Sequence, residues 1–258
     1  MIGSAAQNVI ALSDSIFLYH LSELDFAAIG FVSVFYLIIT AIGYGFSRGG
    51  QILVARRSGE GDYREAGRLF YSMLYLEIGL AIFFFLFIVF ACPWFFRLFV
   101  DTESIYTKSL EYLKYRAYGV FPAFIGVSLI AFYTGIARTR IIMYDTLVLI
   151  LVNIFLNYSL IYGKWGMPDM GIAGAGLAST LAELAALLVF SIYMFFDHFL
   201  RPFRLLQLPN IDWQLILRNL RIASPIVAQA VVGLGSWFFF FGIVENMGER
   251  ELAISNLV

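Results

Sequence analysis

Cysteine occurs once in the 258 residues, at Cys92, so the chain can form no internal disulfide. Cys92 stands beside Pro93 in an apolar run and reads as a packing residue. Histidine occurs twice, at His20 and His198, far apart in sequence. With a single cysteine these cannot supply a structural metal cluster. Charged residues make up 14% of the chain and the net charge is −1, where an ordinary soluble domain carries about 25% charged residues. No basic tract is interleaved with aromatics, which argues against a nucleic-acid partner. No basic stretch precedes the first apolar segment, so no cleavable signal peptide is visible. Apolar side chains, by contrast, are abundant: 61% of the residues are hydrophobic and 27 are Phe. A soluble fold of this size could not hide that much apolar surface. Disorder, a solvated linker and almost every soluble enzyme class are excluded, which leaves an all-α, polytopic membrane protein.

A membrane helix needs about 20 mostly apolar residues. Windows free of charge occur at 26–46, 117–137, 146–163 and 222–244. Three more carry one acid each: Asp14 in 2–19, Glu77 in 69–96 and Glu183 in 170–196. Seven spans result, and an eighth begins at Leu252. The loops after spans 2, 4 and 6 hold 11 Lys and Arg, among them Arg48, Arg56, Arg57, Arg138, Arg201 and Arg218. The alternate loops hold 6: Arg97, Lys108, Lys114, Arg116, Lys164 and Arg250. The positive-inside rule then places the N-terminus in the cytoplasm, in a cell (inner) membrane.

Asp62 followed by Glu65 is a capping-box-like start for span 3, and Ser22 with Asp25 is a weaker one before span 2. Pro122 should kink span 4, because it removes a backbone donor. After span 6, Trp213, Ile216, Leu217 and Leu220 recur at helical spacing, with Arg218 and Arg221 on other faces. This predicts either an amphipathic helix on the cytoplasmic surface or a plain linker helix. A short internal repeat pairs His20–Gly30 with Asn246–Asn256: Glu23 matches Glu249 and Ala27 matches Ala253. Six spans separate the copies, so the repeat is parallel. The expected organisation is a six-helix lobe over 1–200, an amphipathic linker helix over 201–221, and span 7 with the start of span 8 over 222–258, the opening of a second lobe.

Two segments resemble a known family. One is Gly45-Phe-Ser-Arg-Gly-Gly-Gln-Ile-Leu-Val-Ala-Arg56, followed by Gly59-Glu-Gly-Asp-Tyr-Arg-Glu-Ala-Gly67. The other is Asn153-Ile-Phe-Leu-Asn-Tyr158, followed by Met167-Pro-Asp-Met-Gly-Ile-Ala-Gly-Ala-Gly-Leu-Ala-Ser179. In order and spacing the chain resembles the MATE (multidrug and toxic compound extrusion) family along its whole length. The resemblance implies a twelve-span transporter in two lobes, of which this is about half. It implies H⁺- or Na⁺-coupled export of amphipathic, often cationic compounds, with no enzymatic activity and no cofactor beyond the coupling ion. Its partners would be those small substrates, the lipid bilayer and the missing C-terminal lobe of the same protein. Asp14 stands where family members bind the coupling ion in span 1, so Na⁺ is a candidate there. Asn153, Asn157 and Ser179 stand where residues assist it. Two departures bear on coupling. Asn157 replaces an acid found in some members, and span 7 lacks the acid that others carry.

The residues support a site independently. An ionisable group inside a span is a functional hypothesis by default. Asp14 lies roughly 9 Å from the outer end of span 1 at helical rise, and Asn157 lies at a matching depth in span 5. Asn153 and Asn157 are spaced i,i+4 on one face, as are Ser179 and Glu183. Such an oxygen-rich set suits a hard cation or a shared proton. Span-5 asparagines also serve as interhelical glue, and Glu183 fits a cavity or a packing role equally. Glu77 reads as structural or interfacial, and Asp145 and Asp197, near cytoplasmic helix ends, read as solvated or paired with a nearby Arg. Gly43, Gly45, Gly49 and Gly50 read as close-packing positions. The GxSxG pattern at Gly45–Gly49 has no strand–turn–helix context and no His partner. The rival functions are a lipid-linked oligosaccharide flippase of related architecture, disfavoured by the scarcity of intramembrane Lys and Arg, and a seven-helix receptor.

Overall fold

The computed structural model of the protein describes residues 2–98, 102–205 and 209–245. Every regular element among them is helical. The main helices are α1 (Ile2–Tyr19), α2 (Glu23–Gly59), α3 (Tyr63–Phe96), α4 (Glu103–Gly135), α5 (Arg140–Ile161), α6 (Gly171–Phe196) and α7 (Trp213–Glu245). A short 3₁₀ turn, His198–Phe203, follows α6. Among the described residues, α2 to α6 and the Trp213–Gly233 part of α7 are long and apolar enough to cross a membrane, and α1 offers the shorter apolar stretch Val9–Tyr19. Large apolar side chains such as Phe90 and Phe195 stand exposed on the outside, as lipid-facing residues do. The chain is therefore an all-α polytopic membrane protein.

Local chemistry sets the helix starts. The Ser22 side chain caps α2 by accepting from the Leu24 amide at 3.1 Å, and Asp62 caps α3 by accepting from the Glu65 amide at 3.0 Å. Within α3, residues Phe87–Ala91 form a wide π turn just ahead of Pro93. Proline lacks an amide hydrogen and its ring crowds the preceding turn, so a widened turn absorbs the mismatch without breaking the helix. Helix α4 packs against α2, α3 and α6 and is the most deeply buried of the spans. The core has two main layers. One gathers Leu18, Ile29, Val32, Tyr112, Phe124 and Ile172, and the other Leu53, Phe70, Phe132, Tyr133 and Phe203.

The four α2 glycines predicted to allow close packing lie at helix–helix contacts. A Cβ on Gly49 would fall 2.6 Å from the Ala223 Cβ and 2.8 Å from the Asn219 Oδ1. At Gly45 it would meet Val227 at 2.6 Å, at Gly50 Met73 at 2.5 Å, and at Gly43 Phe124 at 3.0 Å. Gly45 and Gly49 thus seat α7 directly on α2. Cys92 is fully buried in the core, as a packing residue would be.

Three expectations need correction. First, the loop after span 3 is shorter than charge suggested. Lys108, Lys114 and Arg116 belong to α4, and Arg116 is 1% exposed. A helix whose polar side chains face other helices keeps its hydrogen-bonded backbone through charged residues that a hydropathy window reads as its end. Second, residues 201–221 do not form a separate linker helix. The 3₁₀ turn covers the first of them, and Trp213 to Leu220 are the opening turns of α7, which continues through Pro225. Leu215 and Ile216 are buried there while Trp213 and Leu217 face outward. Third, Asp145 is not solvated, and among the described residues it forms no ion pair. It is buried and lines a small cavity of about 30 Å³ with Tyr44, Pro122 and Glu183. Asp197 does pair with an arginine, accepting from Arg138 at 2.7 Å. The second copy of the repeat, Asn246–Asn256, and the eighth span at Leu252 lie outside the described residues.

Candidate functional site

Asp14 sits in α1 with no exposed surface. Both carboxylate oxygens accept from neighbouring helices. Oδ1 receives the Asn157 amide at 2.7 Å and the Asn153 amide at 3.3 Å, both from α5. Oδ2 receives the Ser179 hydroxyl from α6 at 2.8 Å and the Tyr112 hydroxyl from α4 at 3.1 Å. The donors are tied to one another as well. The Asn153 amide reaches Ser179 Oγ at 3.0 Å, and the Asn157 amide reaches Asn153 Oδ1 at 3.2 Å and Ser13 Oγ at 3.4 Å. Asn153, Asn157, Ser179 and Tyr112 are all buried. The structure brings the four residues singled out from the sequence into one cluster, centred on Asp14.

The i,i+4 spacing of Asn153 and Asn157 puts both amides on the face of α5 that meets α1. Ser179 faces inward because the small residues before it allow α6 to approach. A Cβ on Gly176 would fall 2.5 Å from the Tyr112 carbonyl oxygen. A buried carboxylate needs charge-assisted donors to remain ionised, and this one has four. The cluster also has spare acceptor capacity. Asn157 Oδ1 is buried without a hydrogen-bond partner, which is uncommon for a buried polar atom. With the Asp14 oxygens, Asn153 Oδ1 and the hydroxyls, it adds an oxygen ligand to a set fit for a hard monovalent cation. The same hydroxyls can rotate to accept from a protonated Asp14. Among the described residues no group of three or more His, Cys, Asp and Glu forms a metal site.

Glu183, one turn beyond Ser179 on α6, is not directed at Asp14. Its two oxygens accept from Arg116 Nη2 and Nη1 at 2.6 Å each, a bidentate pair whose side chains are 1% and 3% exposed. The Tyr36 ring lies 3.9 Å from the Arg116 guanidinium carbon. Glu77 is likewise buried between helices rather than at an interface, where it accepts from Ser47 at 2.8 Å. Sequence reasoning missed Tyr112, Arg116 and Tyr36. Tyr112 and Arg116 share the i,i+4 face of α4, so a helix window extended two turns earlier would have found them. Tyr36 offered no signal, being one aromatic in an apolar run.

Fold and site together define a polytopic helical membrane protein with an acid-centred polar cluster among its first six main helices. Comparison with known proteins agrees. The MatE family profile matches residues 1–159. A "Probable multidrug resistance protein NorM" from Synechocystis sp. is 30% identical over 257 residues, covering 98% of this chain and 55% of that protein. A protein of the same name from Bacillus subtilis is 33% identical over 120 residues, covering 45% of this chain and 26% of that protein. A solved structure described as "Crystal structure of MATE in the bent conformation" superposes with a TM-score of 0.84 at 23% identity, covering 99% of this chain and 56% of its own. A "MOP superfamily transporter from Pyrococcus furiosus" gives 0.85 at 22% identity, covering 99% and 56%. The chain belongs to the MatE family. It spans about half the length of the curated relatives it matches.

Proposed function

We propose that this chain is the N-terminal part of a multidrug exporter driven by H⁺ or Na⁺, with Asp14 as the group that takes up the coupling ion. The observation that carries the reading is the Asp14 carboxylate, fully buried and held by donors from three other helices. A proton or Na⁺ arriving at Asp14 cancels the charge those donors serve. It weakens their hold and gives the junction of α1 with α4, α5 and α6 a second arrangement. In the outward-facing state that rearrangement would release an amphipathic, often cationic compound, and loss of the ion inside would reset the lobe. The resistance-protein names of the relatives support the substrate class. The flippase reading gains nothing from the one buried arginine at the site, because Glu183 neutralises Arg116 and leaves no surplus positive charge.

The test is Asp14→Asn in the full-length protein, reconstituted in liposomes. Efflux of a cationic dye should lose its dependence on the Na⁺ or pH gradient. Undiminished coupled efflux would overturn the assignment.

A further inference from the structure

The Arg116–Glu183 pair lies one helical turn from the residues that hold Oδ2 of Asp14. Tyr112 and Arg116 are spaced i,i+4 on α4, and Ser179 and Glu183 are spaced i,i+4 on α6. The two hydroxyls therefore come from the same two helices that the ion pair joins. We propose that this pair is a positioning clamp. It fixes α4 against α6 so that the Tyr112 and Ser179 hydroxyls stay in reach of Asp14, and it thereby sets the affinity of Asp14 for the coupling ion. The proposal rests on the reading of Asp14 given above.

Three observations carry it. The contact is a bidentate fork with both bonds at 2.6 Å, the geometry that specifies direction as well as attraction. The fold leaves room for it. A Cβ on Gly119, the residue on α4 facing the pair, would fall 2.9 Å from both Glu183 Oε2 and Thr180 Oγ1 and would press on Arg116 Nη1. Finally, packing alone does not hold Tyr112. A cavity of about 100 Å³ borders Tyr112, Arg116, Tyr36 and Thr40. The Tyr36 hydroxyl and Arg116 Nε, both from residues lining it, are buried without hydrogen-bond partners. The α4–α6 seam is otherwise tied nearby by the Thr180 hydroxyl, which donates to the Tyr115 carbonyl at 3.1 Å.

A buried ion pair retained only for stability would behave differently from a clamp. Groups that orient the ligands of a bound ion typically change its affinity by about 10–100-fold when removed. The decisive variant is Arg116→Gln with Glu183→Gln, which removes the fork and keeps the net charge unchanged. In the full-length protein in proteoliposomes, ethidium efflux is followed while Na⁺ is titrated at fixed pH and pH at fixed Na⁺. The clamp predicts half-saturation displaced about tenfold or more, upward for Na⁺, which loses two placed oxygen ligands, and downward for H⁺, because the lost donors favour the ionised carboxylate, with the rate at saturating ion largely kept. Arg116→Lys, which keeps the charge but not the planar fork, should show a similar shift. The exchange Arg116→Glu with Glu183→Arg should bring half-saturation most of the way back to the wild-type value. If the double glutamine variant does not yield folded protein, Gly119→Ala, which displaces the guanidinium, should displace half-saturation in the same two directions. Half-saturation within about twofold of wild type in the folded variants, with Asp14→Asn abolishing ion dependence, would overturn the clamp and leave the Asp14 reading standing. Ion dependence that survives Asp14→Asn would overturn both.

Discussion

The two asparagines of α5 are not equivalent at Asp14. Asn157 donates to Oδ1 at 2.7 Å and Asn153 at 3.3 Å, and Asn157 also brings the unpartnered acceptor. A hydrogen bond to a charged group is worth roughly 1.5–3 kcal/mol, which is about 10- to 100-fold in binding. Because these donors favour the ionised, empty carboxylate, Asn157→Ala is expected to lower the half-saturating H⁺ concentration by about tenfold, and Asn153→Ala by less. Ion titrations of dye efflux in the full-length protein check the order, and an equal or reversed effect would contradict it. Asp14, Asn153 and Asn157 were legible because acids and amides are rare in apolar windows and therefore conspicuous, whereas Ser179, one hydroxyl among many, was singled out by the family resemblance. Arg116 was hidden for the opposite reason. Charge counting assigned it to a loop, and only its pairing with Glu183 makes its burial tolerable.

At the scale of elements, the existence and order of the helices could be read from hydropathy, while their ends could not. Helix α2 runs on to Gly59 and α4 starts at Glu103, because a helix keeps its backbone bonds past the apolar window while charged side chains such as Arg56, paired with Glu60, face outward. The seating of α7 on α2 has a direct consequence for stability. Gly49→Ala places a methyl group 2.6 Å from the Ala223 Cβ and should destabilise by about 1–3 kcal/mol, the usual penalty for overpacking. Gly79→Ala in α3 meets nothing within 4 Å and should be neutral or slightly stabilising, since alanine is the better helix former. Thermal unfolding of the two variants in detergent makes the comparison. Equal melting temperatures would show that the α2–α7 contact is not tight.

For the whole molecule, charge bias gives an orientation that accessibility can test. The loop at Glu60 is expected in the cytoplasm and the loop at Lys164 outside. The chain's one native cysteine, Cys92, is fully buried, so it adds little background to thiol labelling. Glu60→Cys should react with a membrane-impermeant maleimide only in inside-out vesicles, and Lys164→Cys only in intact cells. The reverse pattern would invert the topology. The apolar, membrane-crossing helices were legible from span counting. The division at 201–221 was not, because an amphipathic pattern looks the same on a surface helix and on the first turns of a helix docked against its neighbour.

The matched Arg116–Glu183 pair also bears on how a transporter coupled through Asp14, as proposed, would respond to voltage. The pair contributes no net charge, so in this cluster the field across the membrane acts on Asp14 alone. With a monovalent cation bound, the cluster is electrically silent. Left empty, it carries one negative charge, and moving a unit charge across the full field is worth about 2.3 kcal/mol per 100 mV. Membrane potential would therefore bias the reorientation of the empty lobe and leave the loaded lobe indifferent.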